Sequence, residues 1–207
     1  ANAYGHGAPQ VARALEEAGA AMLACADIEE AVVLRQAGVR APILVFGALS
    51  VSNLDGIFDY GLTPTISTPG AARALQAAAV SRGVTLRCHL KIDTGMNRLG
   101  FRHDNVDRTL PEVAASSHLR IDAVYTHFAT ADDPDHALFG EQRTRVRMRR
   151  LGEQLRAARW DDTGDEALAR IDVEYEELKA VYSSGDATAP DAPTLHENLA
   201  SYENINL

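Results

Sequence analysis

The chain has 207 residues, 46% of them hydrophobic, which is enough for one sizeable core and excludes a disordered or a fibrous protein. Its formal net charge of −9 argues against a nucleic-acid partner, and no apolar run approaches the roughly 20 residues of a membrane helix. The N-terminus lacks the basic segment and apolar run of a secretory signal, so we expect a cytoplasmic protein without a membrane partner.

The charge is distributed unevenly along the chain. Residues 1–160 carry 18 Lys and Arg against 17 Asp and Glu, whereas residues 161–207 carry 2 against 12. This break predicts two unlike segments, which we place at 1–158 and 159–207. The two cysteines, Cys25 and Cys88, lie in apolar runs without metal-ligand spacing, so buried free thiols are expected and no metal site.

Helical and strand patterns alternate in the first segment, with Pro or Gly at many of the boundaries. In chain order, the patterns predict a helix at 11–18, a strand at 21–26, a helix at 28–37, strands at 43–46 and 62–67, a helix at 69–82, a strand at 85–92, a helix at 106–113, a strand at 119–125 and a long helix at 135–159.

This alternation predicts an α/β fold with parallel strands. Strands separated by helices of this length pair in parallel through right-handed crossovers. The predicted strands are apolar at nearly every position, as expected when both faces of the sheet are covered. A (β/α)8 barrel and an open doubly wound sheet both satisfy this pattern, and periodicity alone does not choose between them.

Three strings carry polar and aromatic side chains next to these elements: ANAYGHG at 1–7, HLKIDTGMNRLGF at 89–101 and THFATAD at 126–132. In this order and with these separations they resemble the alanine racemases that depend on pyridoxal phosphate (PLP), and the resemblance covers about residues 1–158. It implies an incomplete (β/α)8 barrel, PLP as the cofactor, and interconversion of L- and D-alanine, which supplies D-alanine for peptidoglycan.

The candidate site residues follow from these strings. The odd positions of the strand at 85–92 are polar, and Lys91 and Arg98 bracket the sharp turn DTGMN. The resemblance implies that Arg98 approaches the phenolic oxygen of PLP and the substrate carboxylate, that Lys91 is a carbamylated lysine orienting Arg98, and that His127 packs against the pyridine ring. Tyr4 and Asn2 in the opening turn are further cofactor-binding candidates. The alternative is that Lys91 and Arg98 close a surface loop and His127 is structural.

The chain departs from the family pattern at both proton-transfer bases. The family places its Schiff-base lysine directly before Ala1, and its second base is a tyrosine in a C-terminal domain, contributed across the interface of a homodimer. We therefore expect a truncated, catalytically incomplete chain, with a non-catalytic PLP-binding module as the alternative. Lys91 or Lys179 in place of the Schiff-base lysine is disfavoured, because Lys91 would then no longer orient Arg98.

The acidic segment 159–207 has a different character. Its alternating apolar and acidic residues around 171–176 predict a half-exposed strand. Together with DEALARIDVEYEELKAV and DAPTLHE, they resemble the hammerhead region of molybdenum hydroxylases, the xanthine dehydrogenase and 4-hydroxybenzoyl-CoA reductase group. We expect a short α+β fragment here, and hence a chimera, with a fragment of a hydroxylase subunit as another alternative.

Overall fold

The computed structural model describes residues 2–50 and 53–146. The chain divides into two compact units, Ala1–Leu151 and Gly152–Leu207, and the second lies outside the described residues. The expected fragment at 159–207 and the last part of the helix predicted at 135–159 also lie outside them, as does the boundary we placed at 158.

Within the described residues, helices and strands follow the predicted alternation. In chain order they are α1 Ala8–Glu17, β1 Leu23–Cys25, α2 Ile28–Gln36, β2 Ile43–Val45, α3 Asp55–Asp59, β3 Thr63–Ile66, α4 Pro69–Arg82, β4 Leu86–Asp93, β5 Phe101–Arg102, α5 Val106–Ala114, β6 Leu119–Tyr125 and α6 Ala137–Val146.

All strand pairs in the described sheet are parallel. The order is β1-β2-β3-β4, with β6 on β4 and the two-residue β5 beside the end of β4. In the register, Thr65 of β3 lies opposite His89 of β4, and Lys91 of β4 lies opposite Tyr125 of β6. The fold is therefore a parallel α/β sheet consistent with a partial barrel, which confirms the predicted fold class.

Local sequence signals set the ends of several helices. The Asp27 side chain caps α2 by accepting a hydrogen bond from the Glu30 N–H. Thr68 caps α4 in the same way, Pro69 occupies its first turn, and Gly83 ends it in the left-handed conformation with φ of 64°. These helices begin and end close to the predicted positions because the caps are short-range features.

The core lies between the sheet and the helices. All three residues of β2 are buried, and Ile66 of β3 and Leu90 of β4 are fully inaccessible to solvent. Leu75 of α4 packs into the same core. Two short elements were not predicted, α3 and β5, since five and two residues are too few to show a periodic pattern.

None of the helices that the structure describes between residues 2 and 146 has both the length and the apolar character required to span a bilayer.

Candidate functional site

Two loops meet where the neighbouring strands β4 and β6 end. The turn at 94–100 follows β4 and carries Arg98, and the loop after β6 begins with Thr126 and His127. The hydroxyl groups of Thr94 and Thr126 lie 2.8 Å apart and join the two loops by a hydrogen bond. The carboxyl ends of parallel barrel strands form the usual active-site face, so this edge is the candidate site.

The turn at 94–100 is held against its own strand. One carboxylate oxygen of Asp93 accepts hydrogen bonds of 3.0 Å from the backbone N–H groups of Gly95 and Asn97. Gly100 has φ of 124°, and a Cβ there would lie 2.7 Å from the Asp93 nitrogen and 2.9 Å from the Lys91 carbonyl oxygen. Glycine is thus required for the return of the chain over β4.

Lys91 is a buried lysine near the end of β4. Its residue is 3% exposed, and within residues 2–50 and 53–146 its ammonium group forms no ion pair or hydrogen bond. Burial lowers the pKa of Lys91, the charge of Arg98 lowers it further, and Asp93 opposes both effects. Arg98 is itself exposed and forms no hydrogen bond to the described part of the chain. An exposed guanidinium that forms no ion pair with residues 2–50 or 53–146 is suited to bind an anion.

Tyr125 lies beside Lys91 and connects it to the next strand. Its ring centre is 5.2 Å from the Lys91 ammonium, and its hydroxyl is 2.9 Å from the Thr65 hydroxyl. Burial raises the pKa of Tyr125 to about 12, although the hydrogen bond with Thr65 acts in the opposite direction. His89 meets Tyr125 edge to face, and burial lowers the pKa of its imidazole. The inward side of β3, β4 and β6 is therefore polar, and its tyrosine stays protonated at neutral pH.

The opening turn at 2–7 lies at the same end of the sheet. Asn2, Ala3 and Tyr4 all have positive φ, between 50° and 56°. The Asn2 side chain accepts a hydrogen bond of 2.9 Å from the Ala8 N–H and so caps α1, while its backbone N–H bonds the Glu30 carboxylate in the first turn of α2. This contact places the turn beside the carboxyl end of β1.

The structure therefore places Arg98 and His127 on adjoining loops and Lys91 on β4, while Tyr4 lies nearer β1. Tyr4 is 70% exposed, and β1, beside it, is three strand positions from β4, roughly 14 Å along the sheet. Asn2 is occupied by its capping bond. Of the five predicted site residues, Arg98 and His127 lie on adjoining loops, Lys91 lies near the end of β4, and the other two lie at the same edge nearer β1.

Sequence reasoning missed Gln142 in α6. Its side chain is fully buried; the carboxamide oxygen accepts a hydrogen bond from the Ala129 N–H, and the amide nitrogen donates to the Thr94 hydroxyl and the His127 carbonyl. No local pattern marks one glutamine of a polar helix as buried, so the sequence carried no signal for it. Gln142 joins both loops of the site.

The cysteines are buried free thiols, as predicted. Burial raises the pKa of Cys25 to about 11, and nearby Glu30 and Asp27 add to the effect. Burial also raises the pKa of Cys88 strongly. Neither thiol forms a reactive thiolate at neutral pH.

A comparison with known families identifies the fold. The model of the family described as "Alanine racemase, N-terminal domain" matches residues 1–163. The chain belongs to this family. Alanine racemases depend on PLP, and the strings that carried the resemblance all lie inside the matched residues of this alanine racemase domain.

Curated and solved relatives agree with this assignment. The alanine racemase of Desulforamulus reducens is 41% identical over 157 residues, 74% of this chain and 42% of that protein. The solved alanine racemase of Clostridium difficile 630 superposes with a TM-score of 0.66 at 30% identity over 80% of this chain and 41% of its own. A histidine racemase of Leuconostoc mesenteroides subsp. sake reaches a TM-score of 0.64 at 33% identity, covering 70% of this chain and 39% of its own.

The chain spans about two fifths of the length of the curated relatives it matches. The comparisons support the racemase resemblance and do not support the resemblance of 159–207 to molybdenum hydroxylases.

Proposed function

We propose that this alanine racemase domain binds PLP at the edge formed by the turn at 94–100 and the loop at 126–129. The observation that carries the proposal is the meeting of two loops through the hydrogen bond between Thr94 and Thr126, one loop carrying the exposed guanidinium of Arg98 and the other carrying His127. PLP is a flat ring with a phenolic oxygen and a phosphate, so a guanidinium and an imidazole suit it chemically. When bound, PLP withdraws electrons from the substrate and so stabilises negative charge at its α-carbon.

Each residue has its own role in this proposal. Arg98 donates hydrogen bonds to the phenolic oxygen of the cofactor and to the carboxylate of the substrate. His127 packs against the pyridine ring. Tyr4 offers its exposed hydroxyl from the opening turn, and Asn2 contributes by capping α1 and holding that turn in place.

Lys91 is proposed to be carbamylated. Carbon dioxide reacts with a neutral amine, forming a new N–C bond and releasing one proton, and the lowered pKa of Lys91 increases the fraction of neutral amine at a given pH. The product is an anion beside Arg98, which replaces repulsion between two cations by an ion pair. Burial beside the Tyr125 ring excludes water from the modified group. Lys91 then orients Arg98 towards the ligand.

Alanine is the proposed substrate, with interconversion of its L and D forms as the activity, a homodimer as the assembly and the cytoplasm as the location. The names of the curated relatives support the substrate. The proposal of a homodimer comes from the resemblance to the family. That a solved relative at 33% identity is named a histidine racemase means that this fold accommodates more than one amino acid.

Binding of PLP to the 207-residue chain tests the proposal. Equilibrium dialysis gives the dissociation constant of PLP for the wild type, for Arg98→Ala and for the control Arg102→Ala. Arg102 is an exposed arginine of β5 whose side chain is paired with Asp104. We expect Arg98→Ala to weaken binding about tenfold or more, the usual effect of losing a charged hydrogen bond, and Arg102→Ala to leave it unchanged.

Two results would overturn the proposal. One is a wild-type chain that takes up no PLP beyond its reaction with surface amines. The other is an equal loss of affinity in both arginine variants, which would mean that PLP responds to the net charge of the domain and not to Arg98.

A further inference from the structure

Gln142 is the one fully buried residue of α6 that touches both loops of the candidate site, among the residues that the structure describes. Its carboxamide oxygen is 2.8 Å from the Ala129 nitrogen. Its amide nitrogen is 3.1 Å from the Thr94 hydroxyl and 2.9 Å from the His127 carbonyl oxygen. Both N–H donors and the oxygen are thus used, and this requires a carboxamide because no other side chain of this length supplies two donors and an acceptor.

The helix that carries Gln142 is itself fixed to the turn at 94–100. Arg145, one turn further along α6, donates a hydrogen bond of 2.8 Å to the Thr94 carbonyl oxygen. Gly95 allows this approach: a Cβ at this position would lie 2.9 Å from the Arg145 guanidinium and 3.2 Å from Cγ of Gln142. The helix α6 and the turn at 94–100 are therefore held together. Gln142 also joins α6 to the second loop, through Ala129 and His127.

Arg98 and His127, the two side chains proposed to bind the cofactor, belong to the two loops that Gln142 hydrogen-bonds. Thr94 begins the turn that carries Arg98, and the Asp93 carboxylate fixes that turn through Gly95 and Asn97, so a shift of Thr94 moves the turn as a body. On the other loop, Gln142 bonds the backbone of His127 itself. Nothing in these contacts requires Gln142 to touch a ligand.

We propose that Gln142 is a positioning residue of the cofactor site, which sets the Arg98 turn and the His127 loop at the separation that the ligand requires. The inference rests on the proposed PLP site. It adds a role for a residue of α6 that lies outside both loops. Misplacement of either loop by a fraction of an ångström is enough to weaken a site built from hydrogen bonds and ring packing.

Three variants of the full chain test it. Gln142→Met keeps the length of the side chain and removes all three hydrogen bonds, whereas Gln142→Glu keeps the acceptor for Ala129 and loses the donors. Gln76→Met is the matched control, since Gln76 also joins a helix to a loop, through Ser117 and the His118 N–H, but next to the start of β6 and away from the site. For each we measure the dissociation constant of PLP, and by NMR the hydrogen exchange of the Ala129 amide.

We expect Gln142→Met to weaken PLP binding about tenfold and to speed exchange of the Ala129 amide about tenfold, with Gln76→Met within twofold of the wild type in both. Gln142→Glu should keep the Ala129 amide protected while losing PLP affinity at neutral pH. Its affinity relative to the wild type should recover in part as the pH falls, because a protonated carboxyl regains one donor. A role in packing alone would show no such pH dependence.

Failure of the positioning role and failure of PLP binding give different results. If the wild type binds PLP and Gln142→Met binds it equally well, the positioning role is overturned while the proposed function stands. If the wild type binds no PLP, the proposed function fails and this inference fails with it. If Gln142→Met does not fold, as judged by circular dichroism, Gln142→Glu decides, and wild-type affinity at neutral pH in that variant overturns the role.

Discussion

The environment of Lys91 determines which chemistry this residue can carry. The ammonium group is buried against the Tyr125 ring, with Arg98 nearby and no ion pair within the described residues. A buried charge without a partner costs free energy, and the protein reduces that cost when the lysine releases its proton. At a given pH, a larger fraction of Lys91 is therefore neutral amine than of a solvent-exposed lysine.

Carbamylation of Lys91 is expected to depend on pH in a defined direction. With 13C-labelled carbon dioxide at fixed partial pressure, the carbamate signal in 13C NMR should rise with pH through the pKa of Lys91. Because that pKa is below the ordinary value of 10.5, the rise should come at lower pH than for an exposed lysine.

Matched controls are available in the chain, because Lys91 and Lys179 are its two lysines. Lys91→Met should abolish the signal that appears at lower pH, and Lys179→Met should leave it in place. A signal that survives Lys91→Met unchanged would show that the carbamate forms on another amine.

At the residue scale, the sequence predicted side chains that lie in distinctive strings and missed those that act through tertiary contacts. Lys91, Arg98 and His127 were predicted as site residues because each belongs to a string with a family resemblance. Gln142 and Thr94 were not, since their roles arise only when α6 packs against two loops. Tyr4 was predicted together with Arg98, but strand order, which separates β1 from β4, is not encoded in any local pattern.

The turn at 94–100 determines where Arg98 lies in the candidate site. It returns over β4 so tightly that Gly100 lies against the backbone of Lys91 and Asp93. This return brings Arg98 near enough for its charge to lower the pKa of Lys91, although six residues separate the two in the chain. The geometry of the cation pair is thus a property of the backbone of this turn.

Gly100→Ala should therefore lower the stability of the folded domain. The added methyl group meets backbone atoms at 2.7 to 2.9 Å and the residue needs φ of 124°, so we expect a loss in the free energy of unfolding of about 3 kcal/mol or more. Gly61→Ala is the control, because Gly61 has φ of 58° with open space around it, and it should lose about 1 kcal/mol. Urea denaturation measures both. Equal losses would mean that the turn adjusts, and that close packing over β4 is not required.

Elements with strong boundary residues were predicted well. The helix at 69–82 begins at Thr68 and Pro69 and stops at Gly83, and its observed bounds, Pro69–Arg82, match. The predicted strands at 21–26 and 62–67 are longer than β1 and β3, because an apolar run marks burial and does not mark where pairing with a neighbour ends. The two-residue β5 pairs only because the turn before it returns to β4.

At the scale of the whole molecule, the parallel arrangement followed from the alternation of elements, but the choice between a barrel and an open sheet did not. That choice depends on the curvature and register of the strands, which no short pattern specifies. The resemblance to racemases decided it, and the solved relatives, with TM-scores of 0.66 and 0.64, agree. The domain is therefore understood best as one part of a shared architecture, in which strand order sets which loops can meet.

We propose that Arg98 and His127 line one PLP-binding edge. Titration of the 15N-labelled chain with PLP, followed by two-dimensional 1H–15N NMR, tests it most directly. We predict that the amide signals that shift most lie in the turn at 94–100 and in the loop at 126–129, with α2 and the outer face of α4 unaffected. Shifts concentrated on α2 or α4, with both loops unchanged, would contradict the claim.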